Sequence, residues 1–178
     1  MPLPVKFDEN EWFLICCILI SYYFIFRLPK RFPCSQTVLF MLFGPTVARL
    51  SDHLLASPKI DLYTLMDTTD YDLFDFFTYL LYAPFSYLFI YLYDKWKIKG
   101  YKIILYIFLC SIGGACFEWM NKMFHVFTYK GWQLPFSFSV YLVTQGFSLL
   151  FYHWVHNAGK QAYKANTLYV GACHRKKG

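Results

Sequence analysis

Four ionisable side chains interrupt stretches otherwise built of Leu, Ile, Phe and Tyr: Arg49, Asp52 and His53 in one, and Glu118 in another. Arg49, Asp52 and His53 stand at i, i+3 and i+4, a spacing that sets them near one another on a helix. Two acids, one guanidinium and one imidazole suit three kinds of chemistry: ion pairing, exchange of a proton or cation, and general acid–base work. Ionisable groups in hydrocarbon cost roughly 2.5–3.5 kcal/mol each on insertion scales, so they turn inward and pair. The expected arrangement pairs Arg49 with Asp52 or Glu118 and hydrogen-bonds His53 nearby. Asp75, Asn121, Lys122 and Gln145 are candidate supporting groups. Two readings fit this cluster: a small polar pocket for a ligand or proton, and a buried ion-pair clamp that fixes helix packing.

These residues need helices that cross a bilayer. The chain has 178 residues, of which 57% are hydrophobic, 23% aromatic and 16% charged. Soluble domains carry about 25% charged residues, so a water-facing shell is hard to build. That hydrophobicity also excludes disorder. A spanning helix needs about 20 mostly apolar residues, and five stretches qualify, at about 12–28, 36–56, 73–93, 101–121 and 134–157. The fold class is therefore all-α, a single integral membrane bundle of five helices over 1–157. A basic tail follows at 158–178 and is expected to be loosely ordered. The first stretch follows an acidic flank (Asp8, Glu9, Glu11) and has no small-residue cleavage site, unlike a signal peptide.

Counting about 1.5 Å per residue, Arg49, Asp52 and His53 lie roughly 20–26 Å from Gln36. Glu118 lies roughly 26 Å from Tyr101 by the same rise, so the four share a level. Basic loops stay cytoplasmic, and twelve of the seventeen Lys and Arg fall in the 1–2 and 3–4 connections and the tail. Eight of the eleven acids fall on the other side. The sorting implies an outer N-terminus and a cytoplasmic C-terminus. The basic loop DKWKIKG (94–100) and the tail suit anionic lipid or a cytoplasmic partner.

The outer connection from Ser57 to Asp72 is too apolar to be simply solvated. Ile60, Leu62, Tyr63, Leu65 and Met66 are expected to lie on the membrane surface as a short helix or turn. Its acidic run, Asp67, Asp70, Asp72 and Asp75, has no glycine-turned loop of the calcium-binding type and reads as a solvated rim. Gly44-Pro45 and Pro84 are expected to kink or locally unwind their helices. The Ser111, Gly113, Gly114, Ala115 stretch permits close approach of a neighbouring helix, within the chain or in a homo-oligomer. His153 and His156, at i and i+3, lack a third metal ligand. Trp12, Tyr93, Trp96, Tyr101, Trp119, Trp132 and Trp154 read as interfacial anchors. Aromatics set among Leu and Ile do not suit base stacking, so no nucleic-acid partner is expected.

The six cysteines form no CxxC or zinc spacing, and no phosphate-binding, metalloprotease or nucleophile-elbow motif occurs. No cofactor or metal is expected, and an enzyme reading is disfavoured. The strings RLPKRF (27–32), LFDFFTYLLYAPFSYLFIYLYDKWKIKG (73–100), CFEWMN (116–121), VFTYKGW (126–132) and FYHW (151–154) resemble a family of small multi-pass membrane proteins. That family occurs in spore-forming, Bacillus-type Gram-positive bacteria and has no assigned activity. The resemblance implies a bacterial plasma-membrane location and transfers no functional residue. The leading expectation is a structural or interaction component of that membrane. The alternatives are a small transporter or ligand-binding subunit using the intramembrane cluster and, third, a membrane-embedded enzyme.

Overall fold

A computed structural model describes residues 7–55, 62–65 and 73–175. The order is α1 (Glu9–Arg27), α2 (Cys34–Leu55), β1 (Tyr63–Leu65), α3 (Leu73–Lys95), α4 (Lys102–Met123), β2 (Phe127–Tyr129) and α5 (Leu134–Arg175). All five helices are long and apolar enough to cross a membrane. The observed bounds fall within a few residues of the expected spans, except that α5 runs on to Arg175 where a loose tail was expected. No proline or β-branched run interrupts residues 158–165, so nothing local stops the helix there.

α3 is the axis of the bundle. Over half (56%) of its spanning window is buried, against 6–17% for the other four helices. α3 has Asp75, Thr78, Tyr79, Tyr87 and Tyr91 among its buried residues, polar groups that neighbouring helices meet better than lipid does. α1 and α2 pack on it, and α4 and α5 pair with each other. The outward faces carry large apolar side chains, such as Phe26, Ile104, Leu109 and Leu150, which suits a lipid surface better than water.

The connections tie both ends. Tyr63–Leu65 pairs antiparallel with Phe127–Tyr129, in register Tyr63↔Tyr129, Thr64↔Thr128 and Leu65↔Phe127. The carbonyl of Leu62 accepts the N–H groups of Lys130, Gly131 and Trp132 at 2.9–3.1 Å. The expected surface helix or turn through Leu62, Tyr63 and Leu65 is thus a strand. Its backbone donors and acceptors are met by a distant segment, which a local reading of periodicity does not reveal. Ile60, Met66, Asp67, Asp70 and Asp72 lie outside the described residues. At the opposite end, Arg31 forms an ion pair with Asp94 at 2.7 Å, and Tyr152 Oη donates to the other Asp94 oxygen at 2.7 Å. An aromatic core of Phe40, Tyr87, Tyr91, Tyr93, Tyr106 and Tyr152 lies beside that junction.

Neither proline breaks its helix: α2 is continuous through Pro45 and α3 through Pro84. The requirement at Gly44 is close approach. A Cβ there would lie 2.5 Å from the Tyr82 carbonyl oxygen and 2.9 Å from Ser86 Cβ. Ser86 Oγ crosses the same contact to donate to the Phe40 carbonyl at 2.8 Å. Gly44→Ala should therefore force α2 off α3 and cost about 1–3 kcal/mol. Gly113→Ala meets nothing within 4 Å and should stay within about 0.5 kcal/mol. Reversible unfolding in detergent checks this; equal stability of the two variants would refute the contact.

Candidate functional site

The site is built where α2 and α4 bring their acids to the end capped by the β-ribbon. Asp52 and Glu118 line one cavity of about 650 Å³ bordered by α2, α3, α4, α5 and the ribbon, and the Glu118 charge acts on the Asp52 carboxylate. The register of the ribbon decides how they are met. Tyr63 and Tyr129 are cross-strand partners; the Tyr63 hydroxyl donates to Asp52 Oδ1, and the Tyr129 hydroxyl donates to Glu118 Oε1. Cross-strand side chains share a face, so one two-residue pairing supplies a donor to each acid.

Glu118 is buried and also takes the Ser137 hydroxyl on Oε1 and the Tyr141 hydroxyl on Oε2, the latter at 2.7 Å. Trp132 Nε1–H donates to Ser137 Oγ at 2.7 Å, which orients that hydroxyl toward the acid. Gly114 makes room for this arrangement: the Tyr141 ring lies 3.3 Å from where its Cβ would be. The close approach expected at the Ser111–Ala115 stretch thus occurs at Gly114, against α5 of the same chain. Asp52 belongs to a second relay. Arg49 Nη1 donates to Tyr79 Oη at 3.2 Å, with the guanidinium 5.6 Å from the ring centroid, and Tyr79 bonds in turn to Asp52. The Arg49 charge also acts favourably on the Asp52 carboxylate.

The expected cluster is therefore brought together in part. Asp52 and Glu118 share the cavity, and Arg49 reaches Asp52 through Tyr79. His53 is exposed and does not join them. One residue along a helix turns the side chain by about 100°, so an inward Asp52 sends His53 toward the outer face. Asp75 is buried in the first turn of α3, one turn before Tyr79, and does not line the cavity. Asn121 closes α4 instead of facing the acids: its amide donates to the Phe117 carbonyl at 2.8 Å, and its own carbonyl receives the Val126 N–H at 2.9 Å. Lys122 is exposed, with Nζ 4.8 Å from the centroid of the Tyr129 ring. Gln145 lines the cavity and accepts from Ser111 Oγ at 3.1 Å. His153 meets the Tyr93 hydroxyl at 3.2 Å, and the rings of His153 and His156 both lie against Tyr152, with His156 stacked on it.

The donors to the acids were missed at the sequence level, although a signal exists. Ser137, Tyr141, Gln145, Ser148 and Tyr152 recur at steps of 4, 4, 3 and 4 residues, a polar stripe along α5. Ser148 is 4% exposed on the cavity wall, and its hydroxyl has no hydrogen-bond partner among the described residues. A helical serine can bond back to the carbonyl four residues earlier; this one does not.

Burial, reinforced by the neighbouring carboxylate, holds the phenols of both Tyr63 and Tyr129 above the ordinary tyrosine range. Both stay protonated and remain donors near neutral pH. The arrangement can therefore hold two acids as hydrogen-bond acceptors beside a largely apolar space. Tyr141→Phe should cost about 1.5–3 kcal/mol, the range for a hydrogen bond to a charged group. In a Glu118→Gln background the cost should fall by more than half, because the pair is coupled. Unfolding of the four proteins of this cycle in detergent measures it, and an undiminished cost in the Gln background would exclude the bond as its source.

No protein-family model, curated protein or solved structure matches the chain.

Proposed function

We propose that the chain is an integral membrane protein that binds a small amphiphilic molecule between its helices, as a small transporter or ligand-binding subunit does. The observation that carries this reading is the cavity of about 650 Å³ lined by both Asp52 and Glu118. A clamp that served packing alone would close on itself, since interiors are filled to crystal-like density. Here the two acids border space, and the partnerless Ser148 hydroxyl borders the same space from deeper along α5. Buried polar atoms without partners are rare, and a ligand or its water would supply one. The volume lies within the roughly 300–1,000 Å³ typical of small-molecule sites, which are mostly apolar with a few placed polar groups.

In the proposed orientation the ribbon end faces outward and the Arg31–Asp94 end faces the cytoplasm of a bacterial cell. Lys95, Lys97 and Lys99 are exposed at the latter end, where anionic headgroups would attract them. A cysteine placed at exposed Lys130, in an otherwise cysteine-free chain, should react with an impermeant maleimide added to intact cells. Labelling only after permeabilisation would reverse the orientation.

Mass spectrometry of the protein released from mild detergent tests the binding role. The wild type should carry a co-purifying small amphiphile, and the doubly neutralised Asp52→Asn/Glu118→Gln protein, folded by circular dichroism, should lose it. Identical bound species in both proteins, or none in the wild type, would refute the role.

A further inference from the structure

We infer that the ligand is an organic cation bearing an apolar chain, and that it reaches the cavity sideways from the bilayer, between α2 and α5. This inference deepens the binding role proposed above and rests on it.

The cation follows from the walls. Among the described residues lining the cavity, two are acidic and none is Lys, Arg or His. Arg49 acts on Asp52 from outside the cavity lining, and Lys122 sits over the ring of Tyr129. An anionic headgroup would face two carboxylates at short range in a medium of low dielectric constant. A positive headgroup would instead meet the acids together with the rings of Tyr63, Phe117, Phe127, Tyr129 and Trp132, all of which line the same space. Aromatic rings around a cavity are the setting in which quaternary ammonium groups are held by cation–π attraction.

The chain follows from depth and polarity. From Ser137, which touches Glu118, to Ser148 the wall runs eleven residues along α5, about 16 Å at 1.5 Å per residue. That is the reach of roughly a dozen methylenes, taking about 3.8 Å for every three extended bonds. Between these points the lining is mainly apolar, with Val140, Phe85, Leu88, Phe89 and Leu92 on its sides.

The route follows from a second void. On the bundle surface a groove of about 810 Å³ runs between α2 and α5. Phe43, Val47, Ser51, Val140 and Thr144 line both the groove and the inner cavity, so one layer of side chains divides them. The two helices are held together at the Asp94 end, where Phe40 and Phe43 meet Phe151 and Phe40 meets Tyr152. The groove continues past these contacts toward the ribbon end, along Leu50, Ser51, Ser139 and Val143. The ribbon end is covered by Tyr63, whose ring packs edge-on against Phe127 and Trp132. An amphiphile already dissolved in the bilayer would find the lateral seam in its own phase.

The test uses the full chain in lipid nanodiscs and tritiated dodecyltrimethylammonium as the probe. Saturable binding is expected, displaced by the unlabelled probe but not by equal concentrations of dodecyl sulfate or tetramethylammonium. Glu118→Gln should weaken it by about tenfold or more, the scale of one lost charge contact. Val143→Trp, which narrows the groove outside the shared layer, should slow association and dissociation alike by about tenfold, leaving the equilibrium constant in place. Val143→Ala should bind at the wild-type rate and controls for folding. Equal displacement by dodecyl sulfate would overturn the cationic class, and displacement by tetramethylammonium would overturn the chain. Unchanged rates in Val143→Trp would overturn the lateral route while leaving the site intact. Absence of probe binding in a protein that still carries a carboxylate-dependent natural ligand would overturn the ligand class alone. Absence of both would overturn the binding role with it.

Discussion

The architecture turns on the need to satisfy two carboxylates in a setting that water does not readily supply. Asp52 and Glu118 come from helices that are not neighbours in the chain, and an unpaired acid in such a place is costly. The solution is a set of neutral hydroxyl donors. Tyr63 and Tyr79 serve Asp52; Tyr129, Ser137 and Tyr141 serve Glu118. Two of these donors, Tyr63 and Tyr129, sit on the β-ribbon. The short β-ribbon joins two connections far apart in sequence, and its register puts one phenol over each acid. Phenols suit this role because they donate without bringing a second charge that must itself be desolvated.

The cavity lies between two ties, one at each end of the bundle. One tie is the ribbon with its tyrosines. The other is the ion pair of Arg31 with Asp94, braced by Tyr152 and the aromatic cluster around Phe40 and Tyr93. Between them α2 presses on α3 at Gly44, backbone against backbone, and α4 meets α5 across Gly114. Ser86, Gln145 and Ser148 border the space beside these two close pairs. Small residues thus do two jobs: at Gly44 and Gly114 they bring elements together, and at Gly113 they leave the wall open.

Much of this was legible in the chain. The number of helices, and their ends except that of α5, followed from apolar length, since about 20 apolar residues in helical form can cross a bilayer with every backbone group satisfied. Arg49, Asp52, His53 and Glu118 stood out because few charges lie within those lengths, and of these Asp52 and Glu118 line the cavity. Less legible was which neighbours would meet them. His53 looked equivalent to Asp52 by spacing, yet a rotation of about 100° per residue puts the two on different sides of α2. Asn121 looked like a partner of Glu118 and instead closes its own helix. The polar stripe on α5 was visible at helical spacing, but serine and tyrosine among apolar residues carry weak signals compared with charges.

By itself the sequence determined an all-helical chain with five membrane-length helices, and the two helices that carry the acids. Those properties depend on local composition and on the period of one helix at a time. The tertiary structure alone decided the pairing of Tyr63 with Tyr129, the Arg49–Tyr79–Asp52 relay and the space beside Glu118. Each of these depends on residues that are brought together from separate helices or connections, and the free energy that selects them arises only once the helices have packed. A site held by neutral hydroxyls is the kind that only packing can reveal, because each hydroxyl becomes informative through the acid it faces.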